Sequence, residues 1–388
     1  MRSLVLLCTA NCLTAACSAS ATQTIENAGD ASAIATCTTY SGNIAVATGM
    51  TDDLSLGTLE QISGDLRIEK NSNIKRVDGS GLKKITGELR LNDDSQIAAL
   101  SFPKLTEVKT LTLTGLASLR NLNLDAEVTK CEKLDIQNTQ LQDLKGINLE
   151  QAKTIIIANN PSIANISMKL TNITGALDLS FNNADVTVAF PKLESAQNIS
   201  VRAVGNLSLP ALSEVTPGSF GIFSSKMESF YAPNLTTVKE ALTIVDNNQM
   251  KDLSFASLTD VGASFLIENN TALGEVTKLP KLKNVGAALD ISGNLTKVES
   301  PSLDFVKGVF NLQSTADLGD SCTFYNGLKD KKKVPNNKYK CEGKLTQAGT
   351  AGTSSGSKDG SKPSSAASPL NAQNTYVGLA GLLAVFFL

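Results

Sequence analysis

One pattern constrains the fold of this chain more than any other: pairs of apolar residues separated by one residue recur every 21 to 24 positions. Alternation of this kind is typical of a short β-strand with one buried face. A unit of this length cannot bury its own apolar side chains, but stacked units share one continuous core. Thirteen pairs follow one another: Ile44/Val46, Leu66/Ile68, Leu89/Leu91, Leu111/Leu113, Leu134/Ile136, Ile155/Ile157, Leu177/Leu179, Ile199/Val201, Phe220/Ile222, Leu242/Ile244, Phe265/Ile267, Leu289/Ile291 and Phe310/Leu312.

The repeat predicts an all-β fold, a right-handed parallel β-helix or solenoid of about 13 coils of roughly 22 residues. In several coils a proline lies two residues before a recurring leucine, as at Pro103 and Leu105. Proline cannot donate to a strand ladder, so it marks a corner between strands. A leucine-rich-repeat horseshoe is the alternative, because its strand also fits the pattern L-x-[IL]-x-x-N. Weak helical periodicity favours the β-solenoid.

A column of asparagines accompanies the strands. Six coils carry Asn five residues after the first strand residue, at Asn71, Asn160, Asn182, Asn247, Asn270 and Asn294. Equivalent side chains of stacked coils lie above one another, and Asn both donates and accepts hydrogen bonds. We therefore interpret the column as a structural ladder rather than as a binding site.

The N-terminus has the features of a secretory signal peptide over residues 1–16. Arg2 precedes a short apolar run that ends in small residues. Cleavage is predicted after Ala16, with Ala19 and Ala21 as alternatives. The run is too short to cross a bilayer of about 30 Å.

The C-terminus has the pattern of a GPI-attachment signal. An uncharged apolar tail, residues 376–388, follows a polar spacer and a cluster of small residues. Ser365 is the predicted attachment residue, with Ser364 and Ala366 as alternatives, so residues 366–388 would be removed as a propeptide. A weak single-pass anchor is the competing interpretation, but the tail is shorter than the roughly 20 residues that a span requires.

Between the repeats and this tail, residues 344–365 form a predicted Ser/Thr/Gly-rich stalk. The segment has almost no apolar residues, so it cannot offset the entropy lost on ordering. The solenoid domain then covers residues 17–343 and contains seven N-x-[ST] sequences, which predict N-glycosylation of exposed loops. They begin at Asn165, Asn172, Asn198, Asn206, Asn234, Asn269 and Asn294.

Composition argues against catalysis. The chain has no histidine, which excludes Ser-His-Asp triads, Cys-His pairs and HExxH zinc sites. The net charge of −2 gives no global field that would attract nucleic acid. We predict no catalytic residue, no cofactor and no metal site, and a monomer that does not bind nucleic acid.

The cysteines predict two disulfides, because a secreted chain matures in an oxidising compartment. Cys322 and Cys341 flank a short loop at the end of the repeats, and Cys17 and Cys37 bracket a similar interval at the start. Cys131 is left as a buried free thiol. It lies four coils from Cys37, about 19 Å at 4.8 Å per coil, whereas a disulfide requires Cα atoms within about 7 Å.

Taken together, these features resemble the fungal GPI-anchored cell-wall organisation proteins, a family with receptor-L-domain-like repeats that includes sporulation-specific and extracellular-mutant proteins. The resemblance implies a role in wall integrity and morphogenesis, at the plasma membrane and in the wall, and no known catalytic residues. It implies the membrane as partner through the GPI lipid, and wall glucan or mannoprotein. The most specific segments are Cys37-x6-Ile44-Ala-Val46, Ile85-Thr-Gly-Glu-Leu89 and Cys322…Cys341-Glu-Gly343.

Two other functions depend on outward positions of the strands. Asp135, Asp178 and Asp290 fall at equivalent outward positions, and the first two, about 9.6 Å apart, approach the spacing of an inverting glycosidase pair. Ile156 lies between them, and we expect no aromatic neighbour for a sugar, so solvated charges are the preferred interpretation. Arg67 and Arg90 could serve an adhesin that binds a glycan or protein, although pairing with Glu69 is the simpler expectation.

Overall fold

The computed structural model describes residues 17–350, and its parallel strands coil into one long solenoid. In this part of the chain fifteen strands form an unbroken parallel ladder, which we call the main row. They are Gln23–Ile25, Ile44–Val46, Leu66–Glu69, Lys84–Asn92, Glu107–Thr114, Lys133–Gln137, Gln151–Ala158, Asn172–Ser180, Ser195–Arg202, Phe220–Phe223, Leu242–Val245, Phe265–Glu268, Leu289–Gly293, Phe310–Ser314 and Tyr339–Glu342.

Two further rows of short parallel strands complete the coils. The second row comprises Thr39–Ser41, Gln61–Ser63, Glu214–Val215, Thr237–Val238, Asp260–Val261, Asn284–Val285 and Phe305–Val306. In several coils between Gln61–Ser63 and Glu214–Val215, one long strand belongs to both rows. Its first part lies in the second row and its last part lies in the main row, and a register shift at the corner separates the two parts. The third row comprises Leu54–Ser55, Arg76–Asp78, Ala99–Ser101, Leu122–Asn123, Asn165–Ser167, Thr187–Ala189, Asn206–Ser208, Ser229–Tyr231, Asp252–Ser254, Glu275–Val276 and Lys297–Val298.

This architecture confirms the predicted all-β parallel solenoid of about 13 coils. The horseshoe alternative is wrong, because a horseshoe would place a helical segment in successive repeats. Over residues 17–350 the only helices are α1, Ala28–Ala35, α2, Ser321–Asp330, and a 3-10 turn, Asn336–Lys338, all of them near the ends of the repeat array. None of them is long and apolar enough to cross a membrane.

The core is formed by the inward residue pairs that define the repeat. Leu177 stacks between Ile155 and Ile199 in the main-row register, and all three side chains are almost completely buried. Burying one such aliphatic side chain stabilises the fold by about 1.5–3 kcal/mol. Because every coil repeats this contact with both neighbours, the core is continuous along the solenoid.

A left-handed residue ends the main-row strand in ten successive coils. These residues are Lys70, Asp93, Gly115, Asn138, Asn159, Phe181, Ala203, Ser224, Asp246 and Asn269. The side chain that follows turns inward, and in five coils it is a buried asparagine. The backbone N–H of Asn160 donates to Asn182 Oδ1 (3.2 Å), and Asn160 Nδ2 donates to the Ile136 carbonyl (3.0 Å). Asn247 makes the same bond to Asn270, which confirms the structural ladder.

Asn294 does not belong to this ladder, and its assignment to the column was wrong. The preceding residue, Gly293, does not adopt the left-handed conformation, so the chain turns one residue later. Leu295 takes the buried position, and its N–H donates to Ser314 Oγ (2.8 Å). Asn294 is exposed.

The N-terminal end of the solenoid is covered by α1 and a disulfide. The Asn27 side chain caps α1 by accepting from the N–H groups of Gly29 and Asp30. The structure holds a Cys17–Cys37 disulfide with a Cα–Cα distance of 5.7 Å. This cover shields strand edges that would otherwise be open to pairing with another chain.

At the C-terminal end, α2 and the last main-row strand cover the core. The rings of Tyr325 and Tyr339 pack on Phe310, with centroid distances of 4.8 and 5.0 Å. The structure holds a Cys322–Cys341 disulfide there, with a Cα–Cα distance of 5.8 Å.

Candidate functional site

The candidate site is the outer face of the main row, where alternate side chains of successive strands point away from the core. The period-2 alternation that buries the repeat pairs sends the intervening residues to this surface. All the charged residues that the sequence singled out lie on it, at register-equivalent positions of different strands.

Arg67 and Arg90 face each other on adjacent strands, and both are ion-paired. Arg67 contacts Asp65 at 2.7 Å and Glu88 at 3.7 Å, and Arg90 contacts Glu69 at 2.5 Å. The expected surface pairing is therefore confirmed. With their charges neutralised by neighbours, these arginines offer little to an anionic partner.

Asp135 and Asp178 flank Ile156 in the register, as predicted. Asp135 is already satisfied: Gln137 Nε2 donates to its Oδ1 at 2.7 Å, and Lys133 Nζ lies 3.2 Å from its Oδ2. The intervening Ile156 lies between the two carboxyl groups in the register, so they do not contact each other.

Asp290 lies far from this pair, five strands from Asp178 along the main row. It is buried, and its Oδ1 accepts a hydrogen bond from Asn311 Nδ2 at 2.7 Å. The chain after the last strand crosses this part of the face, because Asn311 Nδ2 also donates to the Gly349 carbonyl at 2.9 Å. The three aspartates therefore form no common site.

The environment of Asp178 differs from that of Asp135. Burial raises the pKa of Asp178, while the Ser180 hydroxyl and the nearby Arg202 guanidinium oppose that rise. Its Oδ1 is shielded from solvent and accepts no hydrogen bond from any residue in the described part of the chain. An acceptor left in this state costs about 1–3 kcal/mol.

Aromatic residues accompany Asp178, contrary to the sequence-based expectation. Phe181, three residues further along the chain, is 59% exposed, and Phe223 lies under Arg202, whose guanidinium carbon is 4.0 Å from the ring centroid. Sequence reasoning missed them because only one outward position per strand was compared. Arg202 and Phe223 occupy the second outward position, and Phe181 occupies the left-handed turn position.

The seven predicted glycosylation sites differ in exposure, and glycosylation itself stays a prediction. The asparagines at 165, 206, 234, 269 and 294 are exposed, whereas Asn172 and Asn198 are half-buried. Cys131 is a buried free thiol. The predicted signal peptide and the attachment residues Ser364, Ser365 and Ala366 lie outside the described residues.

Comparison with known proteins identifies the family. The chain is 34% identical over 342 residues to Protein ecm33 of Aspergillus fumigatus, covering 87% of this chain and 84% of that protein. This chain belongs to the fungal Ecm33 family. Other Ecm33-family relatives include a Cell surface GPI-anchored protein of Arthroderma benhamiae, 34% identical over 79% of this chain and 78% of its own length. Cell surface GPI-anchored protein ECM33 of Candida albicans is 29% identical over 84% of this chain and 77% of its own length.

No protein-family model matches this Ecm33-family chain, and no solved structure matches it. The described residues contain no group of three or more side chains that could hold a metal ion.

Proposed function

We propose that this protein is a non-catalytic, GPI-anchored cell-surface glycoprotein that supports the organisation and integrity of the fungal cell wall. The observation that carries the proposal is the match over 87% of the chain to Protein ecm33. Two further relatives with long matches are named as GPI-anchored proteins of the cell surface. The sequence agrees, because it pairs a signal-peptide pattern with a GPI-attachment pattern.

The outer leaflet of the plasma membrane, reached through a lipid at Ser365, is the proposed location, with the wall polymers next to it. The segment from 351 to 365 is at most about 50 Å long when fully extended. The solenoid would therefore stay close to the membrane, where wall polymers are deposited. The exposed sequons would place glycans on several coils of this unit.

The absence of catalysis is supported by the outer face. Asp135 is paired with Lys133, Asp290 is bonded to Asn311, and Ile156 separates the first carboxylate from Asp178. A β-helical glycoside hydrolase, the competing hypothesis, requires two carboxyl groups facing one glycosidic bond.

Deletion of the gene, followed by growth on a dye that binds wall polysaccharides, tests the proposal. We expect hypersensitivity of the deletion strain, rescue by the wild-type gene and no rescue by a variant that cannot fold. Normal growth of the deletion strain under wall stress would contradict the proposal. Release of reducing sugar from wall polysaccharides by the purified protein would favour the hydrolase instead.

A further inference from the structure

The chain that follows the last main-row strand returns over the outer face of the solenoid. We call residues 344–349 the strap. Near its start, the Leu345 N–H donates to the Ser314 carbonyl at 3.0 Å, and at its far end the Gly349 N–H donates to Gln313 Oε1 at 3.3 Å. Because later residues of the strap contact earlier residues of the strand beneath, the strap runs antiparallel to that strand.

Side-chain amides of the same strand hold the far end of the strap. Asn311 Nδ2 donates to the Gly349 carbonyl at 2.9 Å, and Gln313 Nε2 donates to Asn311 Oδ1 at 2.8 Å. Gln137 is the register equivalent of Gln313 in an earlier coil, and it makes the same bond, to Asp135. Gln137 is half-buried, whereas Gln313 is 7% exposed. The strap passes over Gln313 and not over Gln137, and this cover explains the difference in exposure.

The strap is held more weakly than the strands beneath it. Its side chains are exposed or half-buried, and residues 346–347 in its middle are exposed. Lys344 forms an ion pair with Asp317 at 2.7 Å, but both side chains are mostly exposed, so the pair contributes little. Segments that bury little apolar surface and keep exposed hydrogen bonds open locally, at a lower free energy than the core. The strap therefore has the properties of a separately opening unit.

A disulfide lies directly before the strap. Cys341 precedes Lys344 by three residues and is bonded to Cys322, in the first turn of α2. A pull on the chain beyond the strap breaks the strap contacts one after another, starting from Gly349. The load then reaches Cys341 and passes through the disulfide to α2. The peeling of the chain from the solenoid therefore ends at this covalent link.

We propose that the strap is a latch, which tension on the lipid anchor releases before any coil of the solenoid opens. The inference rests on the proposed function for the source of the tension, a pull between the membrane and a solenoid held among wall polymers. Release lengthens the tether by the extended length of the strap, about 20 Å, and uncovers the amides of Asn311 and Gln313. The disulfide confines the release to this segment, so the solenoid stays closed while the tether extends.

Hydrogen exchange of the full-length protein, purified in detergent, tests whether the strap opens by itself. We expect the amides of Leu345 and Gly349 to be protected, and to exchange roughly a hundredfold faster than that of Leu312 in the strand beneath. Gln313→Ala removes the acceptor of the Gly349 N–H and should raise its exchange rate about fivefold. Gln137→Ala is the matched control and should leave the strap unchanged. Exchange of the strap at the rate of an unstructured peptide, or equal exchange in Gln313→Ala and wild type, would overturn the inference.

Force spectroscopy of the same protein tests the order of release. With handles on the N-terminus and on the lipid anchor, we expect a first, reversible extension of about 20 Å below the force that unfolds the solenoid. Gln313→Ala should lower the force of this step or abolish the step, and Gln137→Ala should not. A first event that already unfolds whole coils of the wild-type protein would overturn the latch.

Reduction with dithiothreitol tests the covalent stop. The strand Tyr339–Glu342 then lacks its link to α2, so the event that follows strap release should begin at a lower force. An unchanged force would show that the disulfide does not limit the release.

The outcomes for the latch and for the proposed function are separable, because the first are measured on purified protein and the second on growth of the deletion strain. A strap that does not open first, together with a deletion strain that is hypersensitive to wall stress, removes the latch alone. A strap that opens first, together with a deletion strain that tolerates wall stress, supports the latch as a property of the fold and contradicts the proposed function.

Discussion

A single carboxyl group, Asp94, occupies the turn position that asparagine fills in five other coils. It is fully buried, its Oδ1 accepts from the Asn71 N–H at 2.7 Å, and its Oδ2 accepts from the Asn92 N–H at 2.9 Å. Burial raises the pKa of Asp94 to about 6, although these two hydrogen bonds lower it. Desolvation of the charged form outweighs two charge-assisted bonds at this position.

This carboxyl makes stability depend on pH. Its pKa in the folded state lies above the unfolded value of about 3.9, so it favours folding below pH 4, and that contribution is lost as pH rises through about 6. Each pH unit between the two pKa values changes the free energy of unfolding by about 1.4 kcal/mol, so the contribution of Asp94 is at most about 3 kcal/mol. We predict that the melting temperature of wild type relative to Asp94→Asn rises as the pH falls from 7.5 to 4.5.

Thermal melts of both proteins across this pH range check the prediction. Asp143→Asn is the matched control, because Asp143 is exposed and this variant also replaces one carboxylate by an amide. Parallel pH profiles for Asp94→Asn and wild type would show that Asp94 does not titrate differently in the folded state.

At the residue scale, the sequence predicted where the buried turn residues lie better than it predicted the hydrogen bonding and exposure of individual side chains. Counting five residues from each strand start located the buried asparagines, because the same left-handed turn ends those strands. The count failed at Asn294, where the turn is different. Spacing alone did not reveal that Asp178 Oδ1 accepts no hydrogen bond or that Phe181 is exposed, since both depend on the size of side chains in neighbouring coils.

At the scale of elements, the main row was predictable and the other rows were less so. Main-row strands such as Leu66–Glu69 and Phe265–Glu268 carry two buried residues in alternation, which is a signal that one coil contains by itself. Third-row strands such as Ser229–Tyr231 bury one residue in three, so they have no comparable periodicity. The helices α1 and α2 lie outside the repeat and were not predicted.

One buried carboxylate tests which residues of the main-row strands face the core. Leu177→Asp would place an unpaired carboxylate in the core between Ile155 and Ile199, which costs several kcal/mol. We predict loss of the β-sheet circular dichroism signal and of secretion. Ala176→Asp, at the neighbouring outward and half-exposed position, is the control and should be secreted and folded. Equal behaviour of the two variants would mean that the register is wrong.

At the scale of the whole molecule, the two ends determine how the solenoid is closed. The disulfides lie near opposite ends of the array, and each closes a short loop, with sequence separations of 20 and 19. A loop of this length corresponds to about 3 kcal/mol of stabilisation in the chain-entropy account. The pairing was predictable because Cys131 lies several coils away from every other cysteine of the solenoid.

Peptide mapping without reduction tests this closure. We predict cross-linked peptides containing Cys17–Cys37 and Cys322–Cys341. Burial raises the pKa of the Cys131 thiol to about 12, so iodoacetamide at pH 8 should modify Cys131 in the denatured protein and not in the folded one. A cross-linked peptide that contains Cys131 would contradict both the pairing and the coil register.

The central claim is that the solenoid acts at the cell surface and is held there by a lipid. Treatment of intact cells with phosphatidylinositol-specific phospholipase C, followed by mass spectrometry of the released protein, tests it directly. We predict release of a chain that ends at Ser365, or at the neighbouring Ser364 or Ala366, and no surface display of a variant in which all three are changed to leucine. A protein that stays on the cells and retains residues 376–388 would contradict the claim.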